Sequence, residues 1–129
     1  MEKVTGIGGI FIKAKNPTKL AAWYKENLGI DFNDNTYTTF KWINQNNPQI
    51  PGNTVFSFFR EDSDYFSPSK NTCMLNFRVN NLHALLRELS YKGVEVIDKT
   101  EYYSYGSFGW IVDPEGNKVE LWEPKDEAL

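Results

Sequence analysis

Apolar residues recur at helical spacing in two stretches of the chain. Leu20, Trp23, Tyr24 and Leu28 lie three or four positions apart, with Asn16-Pro17 ahead of them and Gly29 behind. A capping residue, a proline in the first turn and a closing glycine are helix start and stop signals, so the pattern predicts a helix over 17–28. Leu82, Leu85, Leu86 and Leu89 repeat the spacing between Asn80-Asn81 and Lys92-Gly93, predicting a second helix over 82–92. Before each helix the period changes to two. "GGIFIKA" sets Ile10, Ile12 and Ala14 on one face against Gly9, Phe11 and Lys13 on the other. "MLNFRV" sets Leu75, Phe77 and Val79 against Met74, Asn76 and Arg78 in the same way.

β-rich runs follow each helix: "TYTTFKWI" and "NTVFSFF" in the first half, then "VEVI", "SFGWIVD" and "NKVELWE" in the second. Asp113-Pro114-Glu115-Gly116-Asn117 reads as a hairpin turn between the last two. Asn44 to Gly52 and Glu61 to Asn71 read as loops. "GNTVFSFFR" and "GNKVELWEP" look like one segment written twice, with Phe56 matched to Glu120 64 residues on; Gly9 matches Met74 65 residues on. Each half therefore reads as β, α and about three strands. The fold class is α+β, a single domain over 1–129 made of tandem modules at about 5–62 and 72–124 that pack together to bury their apolar faces.

The residues "GIGGIFIKAKNPTKLAAWYKENLGI", "MLNFRVNNLHALLREL" and "GWIVDPEGNKVELWEP", in that order, resemble the vicinal oxygen chelate superfamily. That superfamily includes glyoxalase I, extradiol dioxygenases, fosfomycin-resistance enzymes and bleomycin-binding proteins. The resemblance implies two βαβββ modules curled into a cup, with a divalent metal held in many members by the first and last strands of each module. Those positions fall here at Gly9, Phe56, Met74 and Glu120. Glycine and phenylalanine carry no donor atom, and a thioether does not suit hard or borderline cations. One carboxylate does not hold a metal against water. The expectation is a cup with no metal and no other cofactor.

If those four positions share the inward register, Phe11, Phe58, Asn76 and Trp122 share it too, with Lys13 and Arg78 nearer the strand ends. Ile10, Val55, Leu75, Val119 and Leu121 then back onto the helices. Trp42, Phe40, Trp110 and Tyr102 are further candidate walls, and the tyrosine-rich run 101–110 forms either a rim over the cup or an ordinary hairpin. A carboxylate among aromatics is costly unless paired. Glu120 therefore meets Arg78 or Lys13, takes up a proton, is satisfied internally as a relic, or awaits a cationic or hydroxyl-bearing ligand; as an anchor it would pair with an amine or guanidinium, and as a general base it would be the catalytic residue.

Composition narrows the function classes. At net charge −3, with Lys13, Lys15, Lys19 and Lys25 interleaved among other residues, no nucleic-acid footprint emerges. No run is long enough to span a membrane, and "MEKVTG" lacks a signal-peptide layout. A single cysteine, Cys73, fits a reducing compartment, so the expected location is the cytoplasm. The Gly6-x-Gly8-Gly9 run precedes a strand and does not read as a phosphate loop, and His83 reads as a solvent-side residue of the second helix. Three functions stay open: a metal-free binder of a small organic molecule, a metal-independent lyase or isomerase using Glu120, and a partner-binding module. The resemblance also implies a homodimer.

Overall fold

The structure, a computed structural model, describes residues 1–43 and 47–125. Its elements are β1 (Val4–Ala14), α1 (Pro17–Leu28), β2 (Tyr37–Ile43), β3 (Pro51–Arg60), β4 (Cys73–Val79), α2 (Leu82–Tyr91), β5 (Glu95–Tyr103), β6 (Gly106–Val112) and β7 (Lys118–Pro124). Both helices form where the sequence predicts them, and their caps explain why. The Asn16 side chain accepts from the Lys19 amide at 3.1 Å, and Gly29 closes α1 at φ 71°, a conformation that glycine adopts without strain. Asn81 caps α2 through the Ala84 amide at 3.0 Å. The turn at 113–117 forms as well, with the Asp113 carboxylate accepting from the amides of Glu115 and Asn117. The loop expected at 44–52 lies partly outside the described residues, and its last two positions already belong to β3.

The strands form one seven-stranded curled sheet in the order β2-β3-β1-β4-β7-β6-β5. β1 runs parallel to β3 and β4 parallel to β7, while β1 and β4 join the halves as antiparallel neighbours. The second half contains the expected three strands after its helix. The first contains two among the described residues, because Phe32 to Thr36 makes a turn in which Asn33 and Asp34 take positive φ.

Both helices pack on one face of the sheet. Under α1, Ala14, Ala21, Phe32 and Phe58 form a buried cluster supported by Ile12, Leu20, Tyr24 and Phe56. Under α2, Val79, Leu82, Leu85, Leu86 and Leu121 form another. A third cluster, Phe11, Phe66 and Met74 with Val55, Phe59 and Tyr65 against it, lies on the opposite, concave face. It takes two of its aromatics from the loop at 61–71.

Candidate functional site

The expected inward register is right for β1, β4 and β7 and wrong for β3. Gly9 pairs with Val55, Phe11 with Ser57 and Lys13 with Phe59, so Val55, Ser57 and Phe59 share the concave face. Phe56 and Phe58 instead pack against Tyr24 and Phe32 beneath α1. A one-residue slip exchanges the two faces of a strand, and the 64-residue match between Phe56 and Glu120 is such a slip against the 65-residue match of the first strands. Val55 therefore does not back onto a helix, and Phe56 and Phe58 do not line the cup.

The cavity on the concave face has a volume of about 230 Å³ and is lined by the residues from Gly8 and Phe11 on β1 to Glu120 and Trp122 on β7. One wall is Phe11, Phe59 and Tyr65, in ring contact with one another at 5.3 and 5.6 Å. The other is Tyr105, Phe108 and Trp122, the last two stacked at 5.9 Å. Gly8, Val55, Asn76 and Glu120 complete the lining. A Cβ at Gly8 would stand 2.0 Å from Asn76 Oδ1, so only glycine fits beside that amide. Two larger surface grooves, of about 860 and 590 Å³, flank the start of α1, and neither contains Glu120.

Glu120 is 1% exposed. No cation reaches it; three neutral donors do. The Tyr65 hydroxyl donates to Oε1, Trp110 Nε1 donates to the same oxygen at 2.9 Å, and Asn76 Nδ2 donates to Oε2 at 2.5 Å. Burial pushes the Glu120 carboxyl above its ordinary value, against the opposing pull of these donors and of the Lys118 charge. Tyr65 moves up as well, through burial first and the neighbouring carboxylate second.

The basic residues expected near Glu120 lie elsewhere. Lys13 Nζ sits 5.1 Å from the centre of the Phe66 ring. Arg78 is 6% exposed and lies between the faces of Trp42 and Trp122 at 5.7 and 5.3 Å; its Nη1 has no hydrogen-bond partner, and burial lowers its proton affinity. Trp42 thus covers Arg78, Gly6 and Gly52 outside the cup lining, its Nε1 donating to Thr54 at 2.9 Å. Trp110 supports the carboxylate from behind the cavity wall. Phe40 packs toward Phe56, and Tyr102 hydrogen-bonds exposed His83 at 3.1 Å, so neither is a wall. The run 101–110 is a hairpin whose tip residue Tyr105 nevertheless lines the cavity.

Tyr65, Phe59 and Lys118 are not among the residues the sequence marks for the site, and Tyr105 and Phe108 are marked only as members of the run 101–110. Lys118 donates to the Tyr65 carbonyl at 2.7 Å and lies over the rings of Tyr65 and Trp110, fixing the loop that carries Tyr65. Phe59 and Phe108 were open to alternation once the register was known. Nothing in the polar loop around Tyr65 marks it as a partner of a carboxylate 55 residues away.

The donor set does not fit a metal of the kind the superfamily holds. Gly9 has no side chain, Met74 is buried against Phe11 and Phe66, the first-module position facing inward is Val55 or Ser57, and both Glu120 oxygens already accept hydrogen bonds. Among the described residues no group of three or more His, Cys, Asp or Glu side chains gathers.

Residues 9–122 match the family model of the glyoxalase-like domain, and the chain belongs to that family. A methylmalonyl-CoA epimerase from Streptomyces coelicolor, solved with 2-nitronate-propionyl-CoA, is 17% identical with a TM-score of 0.67, over 95% of this chain and 99% of that one. The methylmalonyl-CoA epimerase from Mycobacterium tuberculosis is 19% identical with a TM-score of 0.58, over 96% and 91%. A member of the glyoxalase/bleomycin resistance protein/dioxygenase superfamily from Vibrio splendidus is 8% identical with a TM-score of 0.52, over 95% and 99%. These likenesses establish the shared superfamily fold. No curated protein sequence matches the chain. No helix among the described residues is long and apolar enough to cross a membrane.

Proposed function

We propose that the protein binds a small organic molecule in the concave cup, with Glu120 as its polar anchor and without a metal or other cofactor. The observation that carries this reading is the cavity itself: about 230 Å³, walled by six aromatic rings and ending on one buried carboxyl group. Apolar walls with a few fixed polar groups are the usual make-up of a small-molecule site. A partner-binding module with a self-filled cup is less well supported, because Phe66 and Met74 fill only part of the concavity. Calorimetric titration with Zn²⁺, Ni²⁺, Mn²⁺ and Fe²⁺ tests the metal-free claim. Weak or undetectable heats are expected, and stoichiometric tight binding of any one ion would sink it.

A second reading, a metal-independent lyase or isomerase, draws on the raised proton affinity of Glu120, which a general base at neutral pH needs. Arg78 and Lys13 are not placed to stabilise the developing charge and the Tyr65 hydroxyl is held by Glu120, so the second N–H of the Asn76 amide would take that role. Once a substrate is identified, unchanged turnover in Glu120→Gln would rule this mechanism out. We assign the protein to the cytoplasm from its single exposed Cys73 and expect a homodimer by family resemblance. Light scattering at micromolar concentration checks the latter, and a monomer mass would refute it.

A further inference from the structure

We propose that the ligand of the cup is an organic cation: a small, flat molecule carrying its charge on nitrogen. The inference rests on the small-molecule reading and adds the class of molecule.

Most of the open hydrogen-bonding capacity on the cavity floor belongs to acceptors. A carboxylate has room for about four hydrogen bonds, and Glu120 accepts one at Oε2 and two at Oε1. Asn76 is 2% exposed, and its Oδ1 has no partner. The Tyr65 hydroxyl, Trp110 Nε1 and one N–H of Asn76 Nδ2 are already engaged by Glu120, which leaves the second Asn76 N–H as the one spare donor on the floor. A ligand entering the cup meets more unfilled acceptors than donors and must bring donors of its own.

Charge points the same way. The basic residues nearest the cup lie against aromatic rings and outside its lining: Lys118 over Tyr65 and Trp110, Lys13 over Phe66, and Arg78 between Trp42 and Trp122. Glu120 is the one ionisable acid or base in the lining apart from the two tyrosines. The walls add to it, because aromatic faces attract cations, and more strongly where water is excluded. Among the described residues no ring contact joins Phe11, Phe59 and Tyr65 to Tyr105, Phe108 and Trp122, so the two sets form a slot suited to a flat ring. An anion would face the Glu120 carboxylate with no cationic side chain in the lining to pair with.

Titration of the whole protein with benzamidine, benzamide and benzoate at neutral pH tests the inference, since the three are near-isosteric and differ in charge. Benzamidine is expected to bind one to one and at least ~10-fold more tightly than benzamide, with benzoate weakest. Glu120→Gln is expected to remove that preference. The fold should survive the change, because Asn76 can turn its amide to accept from the introduced one; Phe108→Leu, which removes a wall ring, is a second variant expected to weaken benzamidine. Benzamide or benzoate binding as well as benzamidine would overturn the cation assignment and leave the small-molecule reading standing. If none of the three bound, both would fall.

Discussion

Phe58 and Phe59 are adjacent, equally apolar, and assigned opposite jobs by the register of β3, so truncating each in turn separates the faces of the sheet. Phe58 is 3% exposed and packs against Tyr24, Phe32 and Phe56 with ring centroids 5.0–5.4 Å apart. Removing a fully buried phenylalanine side chain costs about 3–5 kcal/mol. Unfolding entropy of roughly 2.1 cal/mol/K per residue gives this chain about 4 °C of melting temperature per kcal/mol. Phe58→Ala should therefore lower the melting temperature by roughly 10–20 °C and leave benzamidine affinity unchanged in the folded protein. Phe59 is half-buried and forms a wall of the cavity. Phe59→Ala should cost roughly half as much stability or less and weaken binding. Calorimetric melting and titration at a temperature where both variants are folded provide the assay. A larger melting loss for Phe59→Ala, or loss of binding confined to Phe58→Ala, would refute the register.

Three further outcomes follow from the floor of the cup. Tyr65→Phe removes a donor to a buried carboxylate and should destabilise the protein by about 1.5–3 kcal/mol, read from urea midpoints. Because burial raises the Glu120 proton affinity in the folded state, the folded protein binds that proton more tightly than the unfolded chain does. Stability contributed by this proton is full below the ordinary value of 4.5 and is lost as pH rises through the elevated folded value. The stability difference between wild type and Glu120→Gln should change over that window and level off above it; a pH-independent difference between pH 4 and 8 would contradict this. Gly8→Ala places a Cβ 2.0 Å from Asn76 Oδ1 and 3.1 Å from Trp122, so it should cost about 1–3 kcal/mol and reduce cup binding, measured by melting and titration.

Helix positions, the succession of strands along the chain and the inward set on β1, β4 and β7 were legible because their patterns are one-sided. In β7, for example, Val119 and Leu121 alternate with Glu120 and Trp122, and the carboxylate fixes the phase. In β3 the run Val55, Phe56, Phe58 and Phe59 is apolar on both faces, since one side meets α1 and the other meets Phe11, Phe66 and Met74. Alternation cannot choose between two buried faces. Asn76 and Trp110 were legible as candidates for the lining but not as partners of Glu120, a role expected of Arg78 or Lys13; the pairing of neighbouring strands brings them to it. Tyr65 was not legible, because a loop residue is placed by tertiary contacts, here the Lys118 bond to its carbonyl and the packing of Phe66, and periodicity carries no record of those. The sandwiching of Arg78 by Trp42 likewise depends on the missing side chains of Gly6 and Gly52, against which the indole lies.

The central claim is that the cup takes a small molecule on Glu120, and a crystal structure of the protein soaked with benzamidine tests it most directly. A ring is expected between the walls of Phe59 and Phe108 with its amidinium nitrogens within hydrogen-bond distance of Glu120 Oε2 and Asn76 Oδ1. Benzamidine seated elsewhere while the cup holds only water, or a cup closed by its own side chains, would contradict it.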